Sequence, residues 1–371
     1  MQKKVYLCRR IPNNKSVSLQ ADTERYRKNM KLNRIKFWWA NSRSISLPQS
    51  ALPCLTAIVL CIGAEGFVWW LALPVLLGVC AAHLGMNLAD DYFDYKHDSR
   101  IRSELSSKSI RARAEKCHYL RSGEATTEEL GQAVAGFLGF AALMGLTAVV
   151  AQGVLHGWQA VLGIAMYAVL GLIVGINYSG KPLELGFHGL GELVIGLMFG
   201  PLNMLGVQAA MTGQWFTLPM LCMSIGIGCL VINIVYVHSV MEVNADAELG
   251  KMTFARLLRK PWLMLLFVGI FAIVPFIILG VGIAAGWWSS WYLLTLLTLP
   301  MSVYLIYSTH HFVYGLPCLS RPRWWMGPMG KWEDYEKAGI DWFLIRWLLA
   351  RNICTFFCLI VMVVHIVLLV V

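Results

Sequence analysis

The chain alternates between long apolar runs and polar links. Nine runs stand out, near residues 47–64, 67–89, 130–151, 157–177, 189–211, 215–240, 262–286, 290–312 and 347–371. Their lengths are close to the roughly 20 residues an α-helix needs to cross a hydrocarbon layer about 30 Å thick. The runs are continuous rather than alternating with polar positions. That argues against a β-barrel, whose strands switch between lipid and lumen at every residue. The pattern predicts an all-α polytopic membrane protein with nine transmembrane helices. Four links are tight: Glu65-Gly66, Gly153 to His156, Thr212-Gly213 and the stretch from Gly286. The others are long and polar, so the runs are expected to form helical hairpins.

Composition agrees with this reading. Of 371 residues, 57% are apolar and 14% charged, with a mean hydropathy of +0.60. Ordinary soluble domains carry about 25% charged residues. A soluble globular enzyme, a disordered chain and a nucleic-acid binder are therefore excluded, despite a net charge of +10. The ten cysteines contain no CxxC pair, and most lie within apolar runs, including Cys54, Cys61, Cys80, Cys222 and Cys229. They read as small packing residues, with Cys354 and Cys358 one helical turn apart.

The 31 basic residues are sorted by topology. With nine spans, the N-terminal tail and the loops after spans 2, 4, 6 and 8 share one side. The tail carries 12 Lys and Arg, and these loops with their borders carry 8, 1, 4 and 6, leaving none for the other side. Positive residues favour the cytoplasm. The expected location is the cell (inner) membrane, with the N-terminus cytoplasmic and the C-terminus outside. Anionic lipid and anionic substrate account for the positive balance, with no nucleic acid. Residues 1–46 form a basic cytoplasmic tail without an apolar h-region, so a cleaved signal peptide is not expected. Residues 47–371 form the membrane domain. Met30 opens a plausible alternative start, so residues 1–29 are expected to be dispensable. Trp38 and Trp39 are candidate interfacial anchors.

Charge inside this frame marks the chemistry. Asn87-Leu-Ala-Asp90-Asp91-Tyr-Phe-Asp94-Tyr-Lys-His-Asp98 closes span 2. If the helix continues, Asn87, Asp90, Asp91, Asp94 and Asp98 project within one arc of about 100°. Four carboxylates so placed repel one another and require a cation or protonation. One reading is a solvated acidic helix end neutralised by Lys96 and Arg100. Against it, Asn87 and Asp90 lie at membrane depth, where idle charge is costly. Hard oxygen ligands suit Mg²⁺, commonly held by a few carboxylates plus substrate phosphate. A second cluster closes span 6, where Glu242 and Asp246 are spaced i,i+4 and His238 precedes them by one turn. Alone this pair is weak, but spans 2 and 6 hold equivalent places in two four-span halves. Two acidic patches could hold metal around a diphosphate, with basic loops taking the remaining charge. The chemistry implied is ionisation of an allylic diphosphate and capture of the cation by a nucleophilic acceptor. The many aromatic and Met residues could line a groove for the prenyl tail, although such residues more often simply pack or face lipid.

These residues resemble the UbiA superfamily of intramembrane prenyltransferases. The first cluster is similar to its NDxxDxxxD motif. Asn87-Leu-Ala resembles the branch that prenylates 1,4-dihydroxy-2-naphthoate. Arg43-Ser-Ile-Ser-Leu-Pro48 resembles the family's RPxxLP entry to span 1. Tyr178-Ser through Gly186-Phe-His-Gly-Leu-Gly-Glu192 resembles the loop between spans 4 and 5. Glu242 to Thr253 resembles D-x-x-x-D-x-x-x-G-K-x-T. The resemblance implies nine helices around a central cavity, a cytoplasmic active site and Mg²⁺. It implies that Asp90, Asp91, Asp94, Asp98, Glu242 and Asp246 hold metal and diphosphate. Lys116, Arg121 and Lys251 become candidates for diphosphate contacts, each with a topological alternative. Tyr178 and Glu192 become candidates for shaping the acceptor site, with an interfacial anchor as the alternative for Tyr178. Asn87, Arg43 and His238 complete the substrate-binding candidates.

The departures concern the acceptor and the efficiency of the chemistry. Asp90 replaces Asn, His238-Ser239 replaces Asn-Asn, Met241 replaces Arg, and Glu242 replaces Asp. Asp98 follows the 4-hydroxybenzoate-type spacing. In the loop after span 2, Arg111-Ala-Arg113-Ala-Glu reads as helical and Thr126-Thr-Glu-Glu as a helix N-terminus. The leading expectation is transfer from a polyprenyl diphosphate to an aromatic acceptor, 1,4-dihydroxy-2-naphthoate in menaquinone biosynthesis. Alternatives are another acceptor (4-hydroxybenzoate or a lipid alcohol), a cation-coupled transporter, or an inactive lipid-binding paralogue. A transporter places its polar site near the midplane, whereas both clusters here lie at span ends. The DGxxAR pattern of CDP-alcohol phosphotransferases is absent.

Overall fold

A computed structural model describes residues 34–98, 117–248, 252–318 and 321–371; of His97, Asp98 and Glu248 it describes the backbone alone. Contacts divide the chain into two units, Met1–Ser44 and Ile45–Val371. In the first, residues 34–41 are helical. Asn41 donates to the Phe37 carbonyl at 3.0 Å, and the Arg34 guanidinium lies 5.4 Å above the Phe37 ring.

In the second unit every apolar run is a helix. Span 1 is Pro48–Leu60, span 2 Ala72–Asp98, span 3 Thr127–His156, and span 4 Trp158–Ser179. Span 5 is Gly191–Thr212, span 6 Leu218–Met241, span 7 Pro261–Ala284, span 8 Ser290–Val313, and span 9 Asp341–Val370. Eight are long and apolar enough to cross a membrane, and span 1 belongs to the shorter apolar stretch Ser44–Leu60. Among the described residues extended pairing is confined to one isolated bridge, His188 with Met252.

Local chemistry sets the ends. Thr126 caps span 3 in a full capping box with Glu129, at 3.1 and 2.9 Å. This satisfies backbone donors that have no partner within the helix. Gly157 turns span 3 into span 4 at φ +78°, and Gly213 closes span 5 at φ +73°. A Cβ penalises this left-handed region.

Four elements depart from uniform helix. Span 1 has 13 residues, or about 20 Å, and turns off before Gly63 at φ +84°. Span 5 contains a π-helical turn, Met198–Leu202, at Pro201, whose ring removes a ladder donor. Span 8 opens as a 3₁₀-helix, Ser290–Thr298, and becomes α-helical at Leu299–Val313. Span 9 begins at Asp341, six residues before the apolar run. The start is earlier because Arg346 is absorbed rather than left outside. It is buried, donates Nε to the Ser308 carbonyl at 2.9 Å and lies 5.0 Å from the Phe312 ring centroid.

Span 6 is the most enclosed helix and span 3 the least. Spans 1 and 5 both touch spans 2 and 6, so the two helices carrying the acidic motifs share the same neighbours. Spans 5 and 6 approach through small residues. A Cβ at Gly200 would lie 2.5 Å from the Ser224 carbonyl and 2.7 Å from the Gly228 Cα. One at Gly228 would lie 2.9 Å from the Gly196 carbonyl. Gly196 and Gly200 thus face Ser224 and Gly228 at four-residue spacing. Apolar side chains gain little by leaving lipid for another helix, so such close backbone packing matters more in a membrane.

Candidate active site

Span 2 remains helical through Asp98, so the condition for a single acidic arc holds along the backbone. Tertiary contacts then give its members different surroundings. Asp90 is half-buried and accepts a short hydrogen bond from the Ser179 hydroxyl at the end of span 4. Beside it, Phe93 approaches the position a Gly180 side chain would occupy. Asp91 is 3% exposed. Its Oδ2 accepts from the Tyr119 hydroxyl at 3.1 Å, and its carbonyl accepts from Cys117 Sγ at 3.4 Å. Tyr119 belongs to the short helix His118–Arg121, on which Arg121 is exposed. Asp94 is half-buried. Lys96 donates to the Tyr92 hydroxyl at 2.5 Å and lies 4.3 Å from its ring centroid.

A polar network extends toward the membrane from this row. Asn87 donates to Ser46 Oγ at 3.3 Å. His83 lies one turn deeper and is 7% exposed. Its Nε2 is 3.2 Å from Ser46 Oγ and its Nδ1 2.6 Å from Ser50 Oγ. Asn203, just after the π-turn, donates to the Ser50 carbonyl at 2.9 Å, and Phe199 stands 4.6 Å from the His83 ring. The polar His83, Ser50 and Asn203 escaped the sequence reading, whereas Ser46 lies in the Arg43–Pro48 segment it quotes. The available signal was the spacing His83 to Asn87, one turn before the acidic row. Arg43 lies in the N-terminal unit, half-buried, at φ +58°.

The second motif follows span 6. His238 Nε2 and Glu242 Oε2 are 2.6 Å apart, and the His238 ring meets Phe343 edge-on at 5.0 Å. Two departures from the family pattern thus form a pair, the longer Glu reaching one turn back. Asp246 is fully buried on the short helix Val243–Glu248. Its carbonyl accepts from Arg256 Nη1 at 3.1 Å. Arg256 sits on the helix Phe254–Leu258, capped by the Thr253 hydroxyl.

Glu192 ties the start of span 5 to the loop after span 6. It is 5% exposed, and its carboxylate oxygens accept from the Phe254 N–H at 3.1 and 3.3 Å. The neighbouring loops meet at the His188–Met252 bridge. The half-buried Tyr178 lays its ring against Gly186 and Gly191, where an added Cβ would meet it at 3.3 Å. A run of contacts therefore connects Asp90 with Asp246: Ser179, next to Tyr178, then Gly191-Glu192, Phe254 and Arg256. Lys116, Lys251 and the helix expected around Arg111 and Arg113 lie outside the described residues, as does the side chain of Asp98.

Among the described residues, no three His, Cys, Asp or Glu side chains gather closely enough to hold a metal by themselves. Mg²⁺ does not require such a cage. It retains waters and binds through one or two carboxylates plus substrate phosphate. The buried Asp91 and Asp246, with the half-buried Asp90, Asp94 and Glu242, carry the hard oxygen donors that such a site uses. Anionic carboxylates at membrane depth also need positive charge nearby.

The sequence profile of the UbiA prenyltransferase family matches residues 50–325. A 1,4-dihydroxy-2-naphthoate octaprenyltransferase of Mycobacterium tuberculosis (strain ATCC 25618 / H37Rv) is 25% identical over 252 residues, 67% of this chain and 79% of the relative. One from Bacillus subtilis (strain 168) is 24% identical over 265 residues, 71% and 79% respectively. Among solved structures, one concerning digeranylgeranylglyceryl phosphate synthase superposes with a TM-score of 0.56 at 15% identity. It covers 90% of this chain and 99% of that one, a likeness of fold.

Proposed function

Since the chain belongs to the UbiA prenyltransferase family, we propose that this prenyltransferase moves a polyprenyl group from an allylic diphosphate to 1,4-dihydroxy-2-naphthoate. The carrying observation is that both acidic helix ends are built into one contact network through Ser179, Glu192 and Arg256. The named relatives support the acceptor. The allylic carbon–oxygen bond breaks, and its electron pair leaves with the diphosphate. The ring carbon that bears the acceptor's carboxylate attacks the allylic carbon. Loss of that carboxylate as carbon dioxide returns its bonding pair to the ring.

Asp90, Asp91 and Asp94, with Glu242 and Asp246, hold the metal–diphosphate end. When bound, Mg²⁺ supplies positive charge to the departing diphosphate. Tyr119 aims Asp91 by donating to it. Ser179 does the same for Asp90. The exposed Arg121 is a candidate to meet phosphate charge, as Lys116 and Lys251 are by their sequence positions. The His83–Asn87 network presents hydroxyl and amide groups to an acceptor beside the acidic row. In this reading the acidic ends face the cytoplasm of a cell (inner) membrane, where the basic loops also lie.

A second reading keeps the chemistry and changes the acceptor to 4-hydroxybenzoate or a lipid alcohol. The Asp98 spacing favours 4-hydroxybenzoate. Membranes containing the protein, supplied with an allylic polyprenyl diphosphate, Mg²⁺ and a panel of acceptors, separate the two. Prenylated naphthoate and pyrophosphate are expected, and both should disappear in the double variant Asp91→Ala, Asp94→Ala. Pyrophosphate release that survives this variant refutes the metal-site assignment. Activity confined to 4-hydroxybenzoate refutes the acceptor.

A further inference from the structure

We infer that Glu192 and Arg256 are positioning residues that set the segment carrying the second metal-binding carboxylate, Asp246, through contacts between the start of span 5 and the loop after span 6. The inference rests on the prenyltransferase reading above, which makes Asp246 a metal ligand. Glu192 stands in a sequence region expected to shape the acceptor site, but its carboxylate faces a different group. Both oxygens lie on the Phe254 N–H, at 3.1 and 3.3 Å, 62 residues away in sequence. That N–H opens the helix Phe254–Leu258, whose Arg256 side chain reaches the Asp246 carbonyl at 3.1 Å. The same carboxylate thus holds the first residue of the helix whose guanidinium braces the metal-ligand segment.

Three features make this a brace rather than incidental packing. Glu192 is 5% exposed and Asp246 fully buried, so water does not readily replace either contact. Both carboxylate oxygens of Glu192 lie within hydrogen-bond reach of the Phe254 N–H. The junction is doubled by the His188–Met252 bridge beside it and by the Thr253 cap on Arg256. The helix Val243–Glu248 is short and packs against span 6 and the helix that carries Arg256. Groups that orient metal ligands typically change metal affinity by 10–100-fold when removed.

The test measures Mg²⁺ binding without turnover. Detergent-purified full-length protein is held with a non-hydrolysable geranyl thiolodiphosphate, and its melting temperature is followed during Mg²⁺ titration. Asp246→Ala should abolish the Mg²⁺-dependent shift. Glu192→Ala and Arg256→Ala should each raise the half-saturating Mg²⁺ concentration by about tenfold. Glu192→Gln, which retains an oxygen for the Phe254 N–H, should stay within about twofold. In turnover assays Glu192→Ala should raise the Mg²⁺ requirement and leave the acceptor KM unchanged. If Asp246→Ala retains the full shift, the metal-site reading itself fails. If Asp246→Ala loses it while Arg256→Ala titrates like the parent protein, the brace alone is refuted. Should Glu192→Ala not fold, Arg256→Ala and Glu192→Gln decide the matter. A higher acceptor KM with unaltered Mg²⁺ binding in Glu192→Gln would return Glu192 to the acceptor site and overturn the inference.

Discussion

Single residues of the acidic arc differ through their neighbours. Asp90 and Asp91 are adjacent in sequence, yet one meets a hydroxyl from span 4 and the other a phenol from the loop after span 2. Hydrogen bonds to charged groups contribute about 1.5–3 kcal/mol. Tyr119→Phe is therefore expected to destabilise the protein by about 2 kcal/mol and to raise the diphosphate KM, because Asp91 is left buried with one donor fewer. Thermal unfolding and initial rates on the same preparation check both effects. The His238–Glu242 contact shows how departures from a family pattern can compensate. Glutamate is one methylene longer than aspartate and reaches an imidazole four residues earlier. The spacing of these residues was legible in the sequence, since i,i+4 places them on one helix face. Tyr119 was not, because 28 residues separate it from Asp91 and no periodicity links a short loop helix to a span.

At the scale of elements, length and capping were readable and helix-to-helix fit was not. Among the described residues, runs of apolar residues located the eight membrane-length helices and the shorter span 1, and Thr126-Thr-Glu-Glu marked the start of span 3 through its capping box. The π-turn at Pro201 and the 3₁₀ opening of span 8 had no hydropathy signature, because composition does not report backbone hydrogen-bond register. The Gly196/Gly200 and Ser224/Gly228 contact yields a contrast between two glycines. Gly200→Ala places a methyl against backbone at 2.5 Å, so spans 5 and 6 must separate. Its cost is expected to exceed about 2 kcal/mol, since overpacking costs about 1–3 kcal/mol and the obstacle here is not a flexible side chain. Gly139→Ala on span 3 meets nothing within 4 Å and should change stability by less than about 1 kcal/mol. Comparing unfolding midpoints of the two variants in the same detergent tests the packing directly. Equal midpoints would show that this close approach is not required.

For the whole molecule, the two units carry different expectations. Residues 45–371 hold the spans and the described contacts of the acidic network, whereas residues 1–44 contribute charge and the Arg43 stretch. Removal of residues 1–29 is accordingly expected to leave prenyl transfer within about twofold, and a larger loss on assay of membranes with matched protein content would show that the basic tail takes part. The amino-acid sequence by itself determined the membrane class, the nine spans and the two acidic rows. Each follows from local physics: a run of apolar residues must satisfy its own backbone in lipid, and helical pitch alone places i, i+3 and i+4 on one face. Only tertiary structure decided what each charged group meets. Asp91 faces Tyr119, Arg346 lies buried between spans 8 and 9, and Glu192 turns to the Phe254 amide. These pairings span long stretches of chain. They are selected by the cost of leaving buried polar groups unsatisfied, a condition set by the packed molecule and carried by no single segment of sequence.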